Sequence, residues 1–166
     1  QQGEKTMRKL KLYLDTSVWN FFFADDAPRE RDVTKEFFDV IEKEIYEIFI
    51  SGVVIKEIDD APKLKQTDLL NLIDKYKPIK LENTREAEEL AKMYMERGIV
   101  PQKKRNDALH VAIATVTEVD ALVTWNYKHL ANLRKAELFH GTSLEMGYFK
   151  KLEIITPMEV SSYESY

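Results

Sequence analysis

The clearest structural signal in the chain is the run Leu10-Lys11-Leu12-Tyr13-Leu14-Asp15-Thr16-Ser17. Its first five residues are mostly apolar, and a short apolar run of this kind favours a buried strand. Asp, Thr and Ser follow directly. These residue types are preferred at the start of a helix because their side chains accept hydrogen bonds from its first N–H groups. A strand that passes straight into a helix indicates an α/β architecture.

The rest of the chain alternates in the same way. Further strands are expected at 48–50, 78–81, 121–125 and 152–156. Helical spacing of apolar residues falls at 33–48, 53–59, 66–75, from the capping sequence 83–86 to Gly98, and 106–117. Residues 25–31 are polar and contain Pro28, which favours a surface loop. Strands separated by helices predict a single three-layer α/β/α domain over 7–166, with a central parallel sheet of about five strands.

The composition limits the class of protein. The chain has 166 residues, enough for one sizeable core, and its net charge of −4 argues against nonspecific nucleic-acid binding. It contains no cysteine, which excludes disulfides, thiolate metal ligands and cysteine nucleophiles and fits a cytoplasmic protein. No run reaches the roughly 18–20 apolar residues of a membrane span, so no membrane contact is expected. Residues 1–6 precede Met7 and lack the apolar core of a secretory signal; we interpret them as a cloning remnant or a flexible tail.

Polar side chains stand at the ends of two predicted strands. Asp15 directly follows the first strand, and Asn126 directly follows the fourth. Open α/β sheets bind ligands in the crevice beyond the carboxyl ends of their strands, so both side chains are candidates for a site. Glu57 and Asp107 interrupt segments that are otherwise apolar, and a charge in such a place needs compensation.

A hard divalent cation supplies that compensation. Mg²⁺ prefers oxygen ligands and keeps several of its waters, so a few carboxylates are enough to hold it. Beside a phosphodiester, such an ion activates water, polarises the phosphoryl oxygen and stabilises the leaving alkoxide. This chemistry requires neither histidine nor cysteine, and the chain has no glycine-rich phosphate-binding motif. The residues therefore favour phosphoryl chemistry with Mg²⁺ or Mn²⁺.

Segments in the expected order resemble the motifs of PIN domains, particularly those of toxin ribonucleases of VapC type. The run Leu14-Asp15-Thr16-Ser17-Val18 resembles the opening motif, and Glu57 falls where the family has its helix glutamate. Residues 106–114, which begin Asn106-Asp107-Ala108, are similar to the second signature, and 122–130 are similar to the third. Residues 155–159 match a common family ending. Each motif is weak alone, whereas their order across 7–159 is specific.

The resemblance implies a metal-dependent endoribonuclease that leaves a 3′-hydroxyl and a 5′-phosphate, most often the toxin of a type II toxin–antitoxin pair. It implies an antitoxin partner and a homodimer. It also implies that the metal ligands are Asp15, Glu57 and Asp107 and that Asn126 holds the fourth catalytic position. Three hydroxyl side chains would support the site: Thr16, Ser17 and Thr124. Because Asn126 carries no charge, we expect one firmly bound ion rather than two.

The same residues also have structural interpretations. Asp15 fits a helix cap, Asp107 fits the first turn of a helix, and Glu57 alone fits a solvated helix face. Four basic residues near the site suit either contacts with substrate phosphates or a solvated surface: Lys103, Lys104, Arg105 and Lys128. Trp19 and the three phenylalanines at 21–23 fit core packing better than base stacking, and His110 fits a packed, hydrogen-bonded histidine.

Two other functions stay open on the sequence. Non-catalytic RNA-binding or regulatory PIN modules share the fold, although three intact acidic residues argue against that class. Phosphatases of the haloacid-dehalogenase type also place an aspartate after their first strand. Their chemistry uses a second aspartate two residues later, where this chain has Ser17.

Overall fold

The structure, a computed structural model, describes residues 8–164, with side chains as far as residue 160. The interpretation of residues 1–6 as a remnant or tail lies outside this part of the chain. The strands are β1 (Leu10–Leu14), β2 (Tyr46–Ser51), β3 (Ile79–Leu81), β4 (Ala121–Val123) and β5 (Glu153–Ile155). The helices are α1 (Thr16–Phe21), α2 (Pro28–Ile41), α3 (Gly52–Asp59), α4 (Lys63–Tyr76), α5 (Arg85–Glu96), α6 (Arg105–Val116), α7 (Leu133–Glu145) and α8 (Pro157–Glu164), with a 3₁₀ turn at Gln102–Lys104.

The strands form one parallel sheet in the order β3-β2-β1-β4-β5. Leu12 at the centre pairs with Ile48 on one side and Ala121 on the other. The strand order reverses at β1, so the chain leaves β1 towards β2 and later returns to place β4 on its other side. A crevice for ligands forms at the carboxyl ends of the strands where the order reverses, here between β1 and β4.

Apolar residues on both faces of the sheet pack against helices. On one face Tyr13, Phe49 and Leu122 belong to a core with α5, α6 and α7. On the other face Leu12, Leu14 and Val123 belong to a core with α1, α2, α3, α4 and α8. Burial on both faces explains why these strands read as nearly continuous apolar runs. The predicted three-layer α/β/α fold with five parallel strands is confirmed.

Two sequence expectations near α2 were wrong. Residues 25–31 were expected to form a loop, but α2 begins at Pro28, whose fixed φ suits the first turn of a helix. The helix was expected to run on to residue 48, but it ends at Ile41, and Glu44 has a φ of 58° that breaks the helix. The helical spacing of Ile45 was therefore misleading: Ile45 is 41% exposed, and hydrogen bonding to β1 draws the following residues into β2.

Two further differences concern β4 and the segment after it. The strand ends at Val123 rather than at Trp125, which frees Thr124 and Trp125 to turn towards β1. Helix α7 was not predicted, because its buried face uses Phe139 with the small polar residues Thr142 and Ser143 rather than an apolar stripe. Hydrogen bonds satisfy these polar groups: Ser143 binds Tyr94 Oη at 2.7 Å and the carbonyl of Phe139 at 2.7 Å.

Within residues 8–164, no helix is both long enough and apolar enough to pass through a lipid bilayer.

Candidate functional site

A cleft of about 450 Å³ opens at the carboxyl edge of the sheet, where the strand order reverses. Asp15 reaches it from the end of β1, Glu57 from α3, and Asp107 from the first turn of α6. Asn126 reaches it from the turn after β4. The lining consists of Asp15, Thr16, Ser17, Asn20, Glu57, Asp60, Asn106, Asp107, His110 and Asn126. The structure thus brings together all four side chains proposed as the catalytic set.

Asp15 is both the cap of α1 and a wall of the cleft. It is 4% exposed, and its Oδ1 accepts hydrogen bonds from Ser17 N at 3.0 Å and Ser17 Oγ at 2.6 Å. Its Oδ2 accepts one from Thr124 Oγ1 at 2.5 Å. Burial raises the pKa of the Asp15 carboxyl, although His110 and the two hydroxyls act in the opposite direction. The capping interpretation and the site interpretation therefore describe the same residue.

Ser17 and Thr124 join the ends of β1 and β4. Ser17 Oγ accepts a hydrogen bond from Trp125 N at 2.9 Å while it donates to Asp15. Thr124 Oγ1 accepts one from Asn126 N at 3.0 Å while it donates to Asp15. Thr124 does not line the cleft itself, but its hydroxyl sets the orientation of two residues that do. Both hydroxyls thus contact Asp15, and the supporting role expected for them stays a prediction.

Glu57 is held by three polar neighbours. Its Oε1 accepts hydrogen bonds from Thr16 Oγ1 at 2.5 Å and lies 2.8 Å from His110 Nε2, and its Oε2 lies 3.4 Å from Asn106 Nδ2. Burial alone would raise the pKa of Glu57, but the hydrogen bond and charge of His110, with Thr16 and Asn106, lower it overall. Burial likewise opposes the charge on His110, whose pKa is nevertheless raised by Glu57, Asp15 and Asp107. Of the three proposed metal ligands, Glu57 is the one whose pKa is lowered, whereas the pKa values of Asp15 and Asp107 are raised.

Asn126 turns its amide nitrogen, rather than its oxygen, towards the acids. Its Oδ1 accepts a hydrogen bond from His129 N at 3.0 Å, which fixes the assignment of the amide because a backbone N–H requires an acceptor. Its Nδ2 then donates to Asp107 Oδ2 at 3.1 Å. Burial raises the pKa of Asp107, and the charges of His110, His129 and Lys104 partly offset this effect. In this orientation Asn126 donates a hydrogen bond to Asp107, and its Oδ1 faces His129 N rather than the acids.

Basic residues border the acids on one side. A second cleft of about 280 Å³ is lined by Lys103, Lys104 and Arg105 together with Glu57, Asn106 and Asp107. Arg105 is paired with Glu88, whereas Lys104 is near enough for its charge to lower the pKa of Asp107. Lys128 contributes to neither of these two clefts in the described part of the chain. Of the four predicted phosphate contacts, Lys103 and Lys104 are the best placed.

The donor chemistry of the cleft suits a hard divalent cation, because four carboxyl groups line it, those of Asp15, Glu57, Asp60 and Asp107, and burial raises the pKa of Asp15 and Asp107. Nevertheless, over residues 8–164 no three Asp, Glu or His side chains are grouped closely enough to hold an ion as they stand. Their oxygens instead accept hydrogen bonds from Ser17, Thr124, Thr16 and Asn126. Asp15, Glu57 and Asp107 can therefore share one ion only through water ligands or after side chains rotate.

Several residues of the cleft were not predicted from the sequence, namely Asn20, Asp60 and His110. His110 was expected to be a packed, hydrogen-bonded histidine, and this is confirmed, but the residue also lines the site. Helical spacing carried the signal: His110 lies three positions after Asp107, Asp60 three after Glu57, and Asn20 four after Thr16. In each case a residue one turn away shares the face of a predicted site residue.

A larger cleft of about 520 Å³ lies near the amino-terminal ends of the strands. Its floor is apolar and includes Leu12, Ala121 and Ile155, and the ion pair of Asp120 with Lys150 borders it. Asp120 has a shifted pKa, but the shift comes from ion pairs with Arg8 and Lys150, which also occur in purely structural networks. The acids grouped around His110 lie at the opposite ends of the strands.

Comparison with known proteins supports the fold. No family model matches the chain, and no curated protein matches it in sequence. Among solved structures, the chain is similar to one in the crystal structure of VapBC2 from Rickettsia felis bound to a DNA fragment from their promoter. The TM-score is 0.56 and the identity is 17%, over 87% of this chain and 98% of the other. At this identity the likeness shows a shared α/β fold.

Proposed function

We propose that this protein is a metal-dependent endoribonuclease of PIN type and the toxin of a type II toxin–antitoxin pair. One observation carries the proposal: carboxylates from the end of β1, from α3 and from the start of α6 meet in a single cleft at the point where the strand order reverses. Three acids in that place suit phosphoryl chemistry, and the likeness to the VapBC2 chain supports the same class.

Each residue has a distinct role in this proposal. Asp15, Glu57 and Asp107 would hold Mg²⁺ or Mn²⁺, which when bound supplies Lewis-acid polarisation of the phosphate and a more acidic water. Ser17 and Thr124 fix the Asp15 carboxylate, Thr16 fixes Glu57, and Asn126 fixes Asp107. In the proposed reaction, water attacks the phosphodiester, and the products carry a 3′-hydroxyl and a 5′-phosphate.

Lys103 and Lys104 are proposed to hold RNA phosphates beside the acids. They line the cleft that adjoins Glu57 and Asp107, and phosphate contacts of this kind position a nucleic acid without reading its sequence. Arg105 and Lys128 are assigned a lesser part, because Arg105 is paired with Glu88 and Lys128 lies outside both clefts.

The test is cleavage of a labelled single-stranded RNA by purified protein in Mg²⁺ or Mn²⁺, compared with the same reaction in EDTA. Asp15→Asn should reduce the rate by at least about a hundredfold, because the substitution removes the buried charge that a cation needs while it keeps the shape of the side chain. Asp59→Asn is a matched control: Asp59 is an exposed acid on α3, outside the cleft lining.

Full cleavage in EDTA, or an Asp15→Asn variant as active as the parent protein, would sink the proposal. Loss of activity in Asp59→Asn would show instead that any reduction in negative charge is harmful.

An antitoxin protein is the proposed partner, a homodimer the proposed assembly and the cytoplasm the proposed site of action. A nuclease of this class requires restraint in its own cell, and the solved VapBC2 structure is a two-component complex by its name. Co-expression with the product of a small adjacent gene, followed by co-purification, tests the partner. Light scattering of the isolated chain tests the dimer.

A non-catalytic RNA-binding or regulatory module is the second candidate. The observation that favours it is the lack of a ready-made group of three metal-binding side chains in residues 8–164. Calorimetric titration with Mn²⁺ separates the two functions. A nuclease should bind the ion with an affinity that Asp15→Asn abolishes, whereas a degenerate module should give no carboxylate-dependent heat.

A further inference from the structure

A chain of buried hydrogen bonds runs from the interior of the sheet to the cleft. Tyr13 Oη lies 2.7 Å from Ser51 Oγ and 2.8 Å from His110 Nδ1. Ser51 Oγ also accepts a hydrogen bond from Val53 N at 3.2 Å, as the cap of α3. Tyr13 and Ser51 are fully buried, and His110 is 2% exposed. The imidazole is therefore held from behind by residues of β1 and β2.

The other side of the imidazole meets Glu57. His110 Nε2 lies 2.8 Å from Glu57 Oε1, and an ionised carboxylate can only accept a hydrogen bond. Nε2 must therefore carry a hydrogen, which is true both of the neutral tautomer protonated at Nε2 and of the imidazolium. The contact between His110 and Glu57 consequently does not depend on which of these two forms is present.

The two oxygens of Glu57 are used unequally. Oε1 accepts from Thr16 Oγ1 at 2.5 Å and from His110 at 2.8 Å, which occupies both of its in-plane lone pairs. Oε2 has one long contact, with Asn106 Nδ2 at 3.4 Å. Only Oε2 retains the capacity to bind another group at full strength.

We propose that His110, anchored by Tyr13 and Ser51, is a positioning residue that fixes Oε1 of Glu57 and leaves Oε2 as a single-oxygen ligand for a divalent cation. The inference rests on the proposed metal-dependent function. It assigns the Tyr13 hydroxyl and the His110 ring to the support of the metal site, in addition to the hydroxyls of Thr16, Ser17 and Thr124. Partners that orient a metal ligand in this way commonly contribute about tenfold to a hundredfold in metal affinity.

The experiment measures the affinity for Mn²⁺ alone, by calorimetry, in three variants. His110→Leu removes the donor to Glu57 while it fills the ring's place, and it should weaken Mn²⁺ binding by about tenfold or more. His110→Gln keeps an N–H donor and should recover most of that loss. Tyr13→Phe removes only the hydroxyl behind the ring and should give an intermediate loss. His140→Gln, the same substitution on α7 outside the cleft, should bind Mn²⁺ as the parent protein does.

A merely structural role gives a different pattern. In that case all three variants unfold at lower temperature, yet the folded protein at low temperature binds Mn²⁺ with unchanged affinity, and this result overturns the inference. Because His110→Leu is a core change that risks misfolding, the imidazole ¹⁵N spectrum of the unsubstituted protein provides a second measurement. Mg²⁺ should shift the ring resonances of His110 and leave those of His140 in place.

The outcomes also separate this inference from the function on which it rests. Mn²⁺ binding that is strong in the parent protein and equally strong in His110→Leu removes the positioning role and leaves the nuclease proposal intact. No Mn²⁺ binding in the parent protein removes both.

Discussion

Hydrogen bonds to one polar atom of a side chain decide which other atom of that side chain faces the cleft. Asn126 shows this most clearly, because the amide of His129 binds its oxygen and so turns its nitrogen towards Asp107. Glu57 shows it again, because Thr16 and His110 share one of its oxygens. In both cases the residue type is readable from the sequence, whereas the atom that faces the cleft depends on the hydrogen-bond partner. That partner lies three positions away for Asn126, and 41 and 53 positions away for Glu57.

Replacing Asn126 by aspartate tests its orientation. One carboxylate oxygen of the new side chain would keep the hydrogen bond from His129 N. The other would replace the Asn126 nitrogen that now lies 3.1 Å from Asp107 Oδ2. Repulsion between the two carboxylates should destabilise the metal-free protein by about 1–2 kcal/mol, and Mg²⁺ should stabilise the variant more than the parent protein. Thermal unfolding with and without Mg²⁺ measures both effects. An unchanged melting temperature without metal would contradict the assigned orientation.

The binding of Mn²⁺ should depend on pH in a defined direction. Burial raises the pKa of Asp15 and Asp107, so their protons compete with the cation for the same oxygens, and affinity should increase as pH rises through these raised values.

The stability of the metal-free protein should change in the opposite direction over the same window. A carboxyl whose pKa is raised by folding binds its proton more tightly when folded, so the contribution of these groups to stability declines as pH rises. Calorimetry and thermal unfolding at a series of pH values, from about pH 4 upwards, are the measurements. A flat Mn²⁺ affinity would show that neither acid binds the ion.

At the scale of elements, helix ends decide where the site residues stand. Helix α6 is buried on nearly all sides, and a charged side chain there needs access to the cleft. Asp107 has this access because it lies in the first turn of the helix. The preceding helix, α5, ends at Glu96, and Gly98 adopts a φ of 73° just beyond it. After that left-handed residue come Ile99 and Val100, which are buried in the core that α5 and α6 share.

Two glycine substitutions should have opposite effects on stability. At Gly98 an added Cβ meets no other atom, so the effect of alanine is purely conformational, and it should destabilise the protein by about 1 kcal/mol. At Gly141, inside α7 and equally open, alanine should stabilise it by about 0.5–1 kcal/mol because it restricts the unfolded chain. Urea midpoints of the two variants provide the measurement, and effects of equal sign would refute the positive φ at Gly98.

At the scale of the whole molecule, the two edges of the sheet have different tasks. The acids of the cleft lie at the carboxyl ends of the strands. At the amino ends, Asp120 connects the beginnings of β1, β4 and β5. Its carboxylate accepts hydrogen bonds from Arg8 at 2.7 and 2.9 Å and from Lys11 N at 2.8 Å, and it forms an ion pair with Lys150 Nζ at 3.0 Å. The hydrogen bonds from Arg8, with those from Lys11 and Lys150, hold the pKa of Asp120 well below its usual range, although burial acts against them.

Asp120→Asn should therefore lower stability in a pH-dependent way. A folded-state pKa below the unfolded value of about 4 means that the carboxylate stabilises the fold at higher pH and loses this effect as pH falls towards the folded value. The variant should be less stable by about 1–2 kcal/mol near pH 7, and the difference should shrink in acid. Urea unfolding of both proteins at about pH 7 and about pH 3 is the measurement. A difference that stays constant with pH would point to packing rather than charge.

The sequence alone determined the α/β class, the five strands and the residue types of the site, because apolar runs, helical spacing and polar residues at strand ends depend on local pattern. It did not determine where α2 begins and ends or that α7 exists, since Ile45 fits a helix it does not join and α7 buries small polar residues.

Only the tertiary structure decided which atoms face the cleft. Pairing of β4 with β1 brings Thr124 to Asp15. Packing of α6 against the sheet places Asp107 beside Asn126 and His110 between Tyr13 and Glu57. These hydrogen bonds join residues between 19 and 109 positions apart, and such contacts exist only once the sheet has formed. Composition and spacing supply the donors and acceptors, but hydrogen bonds are short and directional, so their pairing is fixed by the packed fold.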